Sequence, residues 1–275
     1  MTVGEWLAEW FAVYKKPSLA ASSVENIERV MRLHVAGWLK AKPLRKVRAL
    51  DIDKALSEVP TTRMRKYTHY VLNNALTKAY KLDMLAEDVM RKAETVRHRE
   101  REGRALTMAE QEDFLRRLEG HRLRNLFLFY IYTGVRRCEA LSLCWADVDF
   151  ARKQITVRGT KTASSFRTLA MLPEVEQLLQ EQRGQAAGER VFPWCATHVS
   201  KQFKKLCGGH KLHDLRHTFV TRCAESGINV NVAQQLAGHS DIKTTLKTYT
   251  HVSADFIKRE YIKYTLSPYE GGRRG

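Results

Sequence analysis

Through the first hundred residues apolar positions recur at helical spacing. Trp6, Leu7, Trp10, Phe11 and Tyr14 keep a 3.6-residue period behind a capping-box pattern, Thr2 with Glu5. Ser22 with Glu25 repeats that start signal ahead of Val24, Ile27, Val30, Met31, Val35 and Trp38, and Pro43 closes the segment. A short helix over 51–59 and a longer one over 63–81 complete a predicted four-helix unit, in which each helix turns one apolar stripe toward a shared core. Over 94–104 the period is lost in a run of charged residues that ends in Gly103 and Arg104, which reads as a linker.

A third capping box, Thr107 with Glu110, opens the second region. Phe114, Leu115 and Leu118 follow at helical spacing, and the longest apolar run, Leu126 to Tyr132, stops at Thr133-Gly134. There the period shortens. Val148, Phe150, Ile155, Val157 and the run Thr168 to Met171 predict three short antiparallel strands, with turns near 151–153 and 162–165. Helical patterning resumes at Pro173, a residue suited to a first helical turn, and continues to about Tyr264. The expected fold class is therefore mostly α with a small antiparallel β-sheet (α+β). The expected domains are a helical one over 1–93, a linker over 94–104 and a second domain over 105–275 that includes a C-terminal tail.

Charge changes the picture from an ordinary globular chain to one with a polyanionic partner. A formal net charge of +17 over 275 residues repels itself in a compact state unless phosphates or similar groups neutralise it. No apolar run reaches the roughly 18 to 20 residues that span a bilayer, which argues against a membrane. Met1 to Glu5 shows no basic, then apolar leader pattern, and the five cysteines are scattered without a Cys-x-x-Cys pair. A cytoplasmic location with reduced thiols and no metal site is expected.

Four segments of the second region place polar or cationic groups beside structural breaks. Thr133-Gly134-Val135-Arg136-Arg137-Cys138-Glu139 sets Arg136 and Glu139 three apart at a helix start, a spacing that by itself usually means a surface ion pair. Gly159-Thr160-Lys161-Thr162 lies at the predicted hairpin tip. His213-Asp214-Leu215-Arg216-His217 gathers His213, Arg216 and His217 on one helical face; its His-x-x-x-His spacing lacks the glutamate of the zinc-protease motif. Gly238-His239 precedes one more amphipathic segment that ends at Tyr249. Two arginines, a lysine, histidines and a tyrosine make a coherent kit for attacking a phosphodiester. Guanidinium groups match the charged non-bridging oxygens, a phenol with an ordinary pKa near 10 needs help to lose its proton, and the leaving oxygen needs a donor.

The order Thr-Gly-x-Arg-x-x-Glu, hairpin Lys, His-x-Leu-Arg-His, Gly-His, Tyr resembles the tyrosine recombinase family, also called phage integrases, over roughly residues 105 to 260. The helical first region resembles that family's core-binding (SAM-like) domain. The resemblance implies that Arg136, Arg216 and His239 hold the scissile phosphate, that His213 manages the nucleophile's proton and that Lys161 protonates the leaving 5′ oxygen. Tyr249 would form a 3′-phosphotyrosine link, with Glu139 and His217 in supporting roles. It further implies site-specific recombination of double-stranded DNA without cofactor or metal, through a Holliday junction, by a homotetramer on two DNA sites, with DNA-bending accessory proteins as further partners. The tail bearing Phe256, Tyr261, Ile262 and Leu266 among Lys258, Arg259 and Lys263 would dock on a neighbouring protomer or cover its own core. Type IB topoisomerase-like relaxation, or a DNA-binding protein whose recombinase site has decayed, remain the alternatives. Affinity for duplex DNA should fall at least about a hundredfold between about 50 and 200 mM salt, because bound phosphates release counterions; a flat response in a fluorescence-anisotropy titration would contradict a phosphate-dominated interface.

Overall fold

A computed structural model of the chain describes residues 1–98, 103–159, 166–184, 188–249 and 262. The backbone divides into two compact units, Met1–Arg101 and Glu102–Gly275. The division falls within the charged stretch 94–104. In the first unit Glu94 donates its amide to Asp53 (2.9 Å), and His98 Nδ1 lies 2.9 Å from the Thr62 hydroxyl.

The first unit is built from helices. α1 (Val3–Trp10) starts on the Thr2–Glu5 capping box, and Trp6, Leu7 and Trp10 are buried. Trp6 satisfies its indole by donating to the Ala75 carbonyl, 2.8 Å away on α5 (Thr62–Tyr80). α2 (Ala21–Leu33) departs from the sequence expectation at its start: Ala20, not Ser22, takes the extended cap conformation, so Ser22 already lies inside the first turn and makes no cap. α3 (Gly37–Ala41), α4 (Ala49–Ser57) and α6 (Val89–Lys92) follow, giving two short α-helices more among the described residues than the expected four. α4 begins two residues earlier than its apolar pattern suggested, because the Asp51 carboxylate accepts the Arg48 amide at 2.8 Å and stabilises an N-terminus there.

The second unit wraps around one helix. α8 (Arg124–Thr133) is apolar on all sides and buries Leu126 to Ile131, as a central helix must. Phe127 is its pivot, with ring centroids 5.9 Å from Phe114 on α7 (Met108–Arg117) and 5.8 Å from Phe203 on α11 (Ala196–Leu206). Three strands, β1 (Val148–Asp149), β2 (Gln154–Val157) and β3 (Arg167–Ala170), pair antiparallel in that order, with Ile155 opposite Leu169 and Val157 opposite Arg167. Strand residues two apart share a face, so Arg167 points to the same side as the buried Leu169. α10 (Pro173–Gly184) packs on α8. The chain then runs through α12 (Asp214–Glu225), α13 (Val230–Ala237) and α14 (Ile242–Tyr249), which pack on one another.

Lys161 and, apart from exposed Ile262, the tail residues Phe256, Lys258, Arg259, Tyr261, Lys263 and Leu266 lie outside the described residues. No helix among the described residues is long and apolar enough to cross a membrane. Truncating the pivot, Phe127→Ala, should lower stability by about 3–5 kcal/mol through lost contacts and a residual cavity. Urea denaturation measures it, and a midpoint within error of the parent would show that the three-ring cluster carries little of the core.

Candidate active site

Two left-handed glycines shape the backbone of this site. Gly134 (φ +61°) ends α8, and a Cβ there would lie 2.2 Å from the Phe219 ring; the carbonyl of this turn accepts Arg216 Nη1 at 2.7 Å. Gly238 (φ +69°) ends α13 in the same way, and a Cβ there would lie 2.6 Å from Arg167 Nη1. Neither position accepts a side chain without both backbone strain and a clash.

Arg136 is the N-cap residue of α9 (Arg137–Ser142), and Glu139 folds back to it. The carboxylate accepts the Arg136 amide at 2.8 Å and Arg136 Nη1 at 2.7 Å. The usual meaning of this spacing, a solvated surface pair, is overturned: Glu139 is only 4% exposed. Arg167 explains the burial by donating Nη2 to the same carboxylate at 3.1 Å. Burial by itself raises the Glu139 pKa, but the Arg136 amide and the two guanidinium groups outweigh it and leave the carboxyl below its ordinary value.

The C-terminal turn of α13 then gathers all three arginines. Leu236 O accepts Arg167 Nε at 2.8 Å, Ala237 O accepts Arg216 Nη1, and Gly238 O accepts Arg136 Nη2 at 2.6 Å. Three consecutive carbonyls at the negative end of a helix each hold a different cation. Arg216 is 3% exposed, and burial, then the neighbouring Arg136, lower its pKa to about 9. Its Nη2 is buried and has no hydrogen-bond partner among the described residues, so one donor of a fixed guanidinium is uncommitted in the middle of the site.

His239 follows Gly238 directly. Its amide donates back to Gln234 O at 3.1 Å, and its Nδ1 lies 2.8 Å from the hydroxyl of Thr245, a fully buried residue of α14. Burial, then Arg216 and Arg136, press this imidazole down to about 3, so it is neutral near pH 7. His213 sits at the N-cap position of α12, edge-on to His217 with ring centroids 5.0 Å apart. Part of its surface is open to water, yet desolvation by the surrounding protein, then His217 and Arg216, lower it to about 4. His217 is lowered too, chiefly by burial.

The structure therefore gathers Arg136, Glu139 and Arg216 around the C-terminal turn of α13, with His239 on that turn and His213 and His217 beside Arg216. It places Tyr249 differently. The phenol donates to the Ile228 carbonyl at 2.8 Å, in the loop between α12 and α13, where burial, then nearby Cys223, lift its pKa to about 12. Lys161 is outside the described residues. Arg167 was missed by the sequence reading; its signal is the inward parity it shares with Leu169, an unusual place for a cation.

A neutral imidazole inside a cationic cluster makes stability depend on pH. The folded value of His239 is near 3 against an ordinary 6.5, so as pH falls the unfolded chain takes up this proton first. The stabilisation is complete above pH 6.5 and is progressively lost toward pH 3. The thermal unfolding midpoint should drop between about pH 7 and pH 5, and His239→Gln should flatten that drop; equal slopes for the two proteins would show that the ring is not held neutral by this environment.

Known proteins agree with this architecture. The model of the phage integrase family matches residues 99–255, and that of its N-terminal SAM-like domain matches residues 2–59. Tyrosine recombinase XerA of Saccharolobus solfataricus is 33% identical over 172 residues, which span 60% of this chain but only 58% of that protein. An integrase of Streptomyces ambofaciens is 28% identical over 90% of this chain and 76% of its own length. Among solved structures, the Tn1549 transposon integrase in complex with a circular intermediate DNA superimposes with a TM-score of 0.79 at 21% identity, covering 96% of this chain and 99% of that one. A lambda integrase tetramer bound to a Holliday junction gives 0.77 at 17% identity, covering 90% and 77%. With the family model spanning more than half of its residues and the arginine cluster in place, the chain belongs to the phage integrase family of tyrosine recombinases.

Proposed function

We propose that the protein is a site-specific DNA recombinase that cleaves and rejoins strands through a 3′-phosphotyrosine. The observation that carries this reading is the uncommitted, buried Nη2 of Arg216 beside Arg136, with a neutral His239 next to both. Such donors, fixed before the substrate arrives, are suited to the non-bridging oxygens of a phosphodiester as charge grows on them. When the Thr245 hydroxyl donates to Nδ1, the proton of His239 resides on Nε2, which then serves as a third donor.

In the reaction the Tyr249 oxygen bonds to phosphorus while the bond to the 5′ oxygen breaks. The phenolic proton passes to a base, a role for which His213 is suited because it is neutral near pH 7, and the departing oxygen takes a proton from Lys161. Glu139 keeps Arg136 oriented, and His217 packs on His213. A 5′ hydroxyl from another strand reverses these steps, so rejoining consumes no ATP and needs no metal. In its observed position the phenol is a poor nucleophile, and it exchanges the Ile228 carbonyl for the phosphate as DNA is engaged.

Double-stranded DNA is the proposed partner, bound by a homotetramer that holds two sites and exchanges strands through a Holliday junction, in the cytoplasm and with DNA-bending proteins assisting. The Tn1549 integrase structure in complex with a circular intermediate DNA supports the partner, and the lambda integrase tetramer bound to a Holliday junction supports the assembly. The nucleic-acid partner is also supported by a groove of the first unit lined by Arg29, Arg63 and Lys66, beside Tyr67 and Tyr70 stacked with centroids 6.1 Å apart. Cations interleaved with aromatics suit a nucleic-acid backbone. The intact arginine cluster disfavours a decayed site.

A nicked duplex carrying the target site should trap a detergent-resistant protein–DNA adduct without added metal. Tyr249→Phe should abolish the adduct and leave DNA affinity within about threefold, while Arg136→Ala should slow adduct formation about a hundredfold or more. An adduct that persists in the phenylalanine variant would place the nucleophile elsewhere.

A further inference from the structure

We propose that Arg167 is a positioning residue for strand cleavage: from the first position of β3 it ties Glu139 to the C-terminal turn of α13 and thereby sets Arg136 and His239 against the phosphate. This rests on the recombinase reading above. Its side chain is 9% exposed and meets Glu139, whose own is 2% exposed. One donor goes to Glu139 Oε2, the oxygen that also accepts the Arg136 amide, and another to Leu236 O. The face of the guanidinium lies against Gly238, close enough that a Cβ there would meet Nη1 at 2.6 Å and Cζ at 2.8 Å.

These contacts touch both supports of Arg136 and the turn that leads into His239. Arg136 is held by Glu139 and by Gly238 O, and Arg167 fixes the first directly and the backbone of the second by contact. His239 is the next residue after that backbone, and its amide closes the same turn. Without Arg167 the buried Glu139 carboxylate keeps one guanidinium partner instead of two, the Leu236 carbonyl loses this donor, and the turn relaxes into the space left beside Gly238. A displacement on the order of 1 Å in catalytic groups can cost about a hundredfold in rate while leaving binding untouched. Lysine replaces the charge but not the fork that reaches carboxylate and carbonyl together, so it restores only part of the function.

The test compares wild type, Arg167→Gln and Arg167→Lys in three measurements: the single-turnover rate of adduct formation at saturating nicked duplex, the Kd for that duplex, and hydrogen–deuterium exchange of the Gly238 and His239 amides in the free protein. Arg167→Gln should slow the adduct at least about tenfold with Kd within about threefold, and Arg167→Lys should recover part of the rate. The two amides should exchange about tenfold faster in the glutamine variant, because opening of the turn becomes easier. On a duplex with a methylphosphonate at the cleavage position, the deficit of the glutamine variant should shrink to about threefold or less, since the substrate then carries less charge for Arg136 and His239 to hold. A merely structural salt bridge would give the same deficit on both substrates, and that outcome would overturn the proposal. So would unchanged exchange at Gly238 and His239, whatever the adduct does. A wild-type protein that forms no adduct sinks the recombinase reading instead, while the exchange comparison still decides whether Arg167 holds the turn.

Discussion

The C-terminal carbonyls of one short helix hold this site together. Three guanidinium groups drawn to one place repel each other, and burial, then that repulsion, lowers the pKa of Arg216. Two things offset it. Leu236, Ala237 and Gly238 offer lone pairs that the α13 backbone leaves unused, at the end where the helix dipole is negative, and Glu139 supplies a full negative charge at the centre. The cluster is thus assembled in the protein alone, and the cost of gathering like charges is met by folding.

Burial first, and then the charge of the arginines, explains the state of the histidines. Beside fixed arginines an imidazole is most stable without its proton, and a neutral ring can donate or accept where a charged one only donates. The same surroundings favour a phenolate over a phenol, yet Tyr249 lies in a pocket with Ile228 and Cys223, where burial keeps its proton on. Cation cluster and phenol are therefore separately stable, and in the proposed reaction they would have to come together before cleavage.

Local features were legible in the chain and distant ones were not. The capping boxes at Thr2 and Thr107 depend on a pair three residues apart, and both form. The Ser22–Glu25 pair has the same letters but fails, because the choice of which residue stays extended was made one turn edge earlier, at Ala20. Arg136 and Glu139 were visible as neighbours. Their burial was not, since the partners that create it, Arg167 and Gly238, lie 28 and 102 positions along the chain from the residues they bond. Arg167 itself escaped notice because a strand arginine ordinarily faces water, and only its register with Leu169 betrays the inward turn. Tyr249 could be read as a nucleophile from its motif, but its hydrogen bond to Ile228 is a property of packing alone.

On the proposed function, the contact between Thr245 and His239 limits how the tyrosine could reach the phosphate. Thr245 is buried and bonded to the imidazole, and Tyr249 stands four residues further along the same helix. While that hydroxyl stays in place, α14 is held against sliding along its axis, and unwinding the single turn between Thr245 and Tyr249 is one way to extend the phenol without breaking the bond. Four residues rise about 6 Å in a helix and reach about 14 Å when fully extended. On the proposed function, unwinding that turn would therefore add about 8 Å to the reach of the phenol, with the rest of α14 left in place.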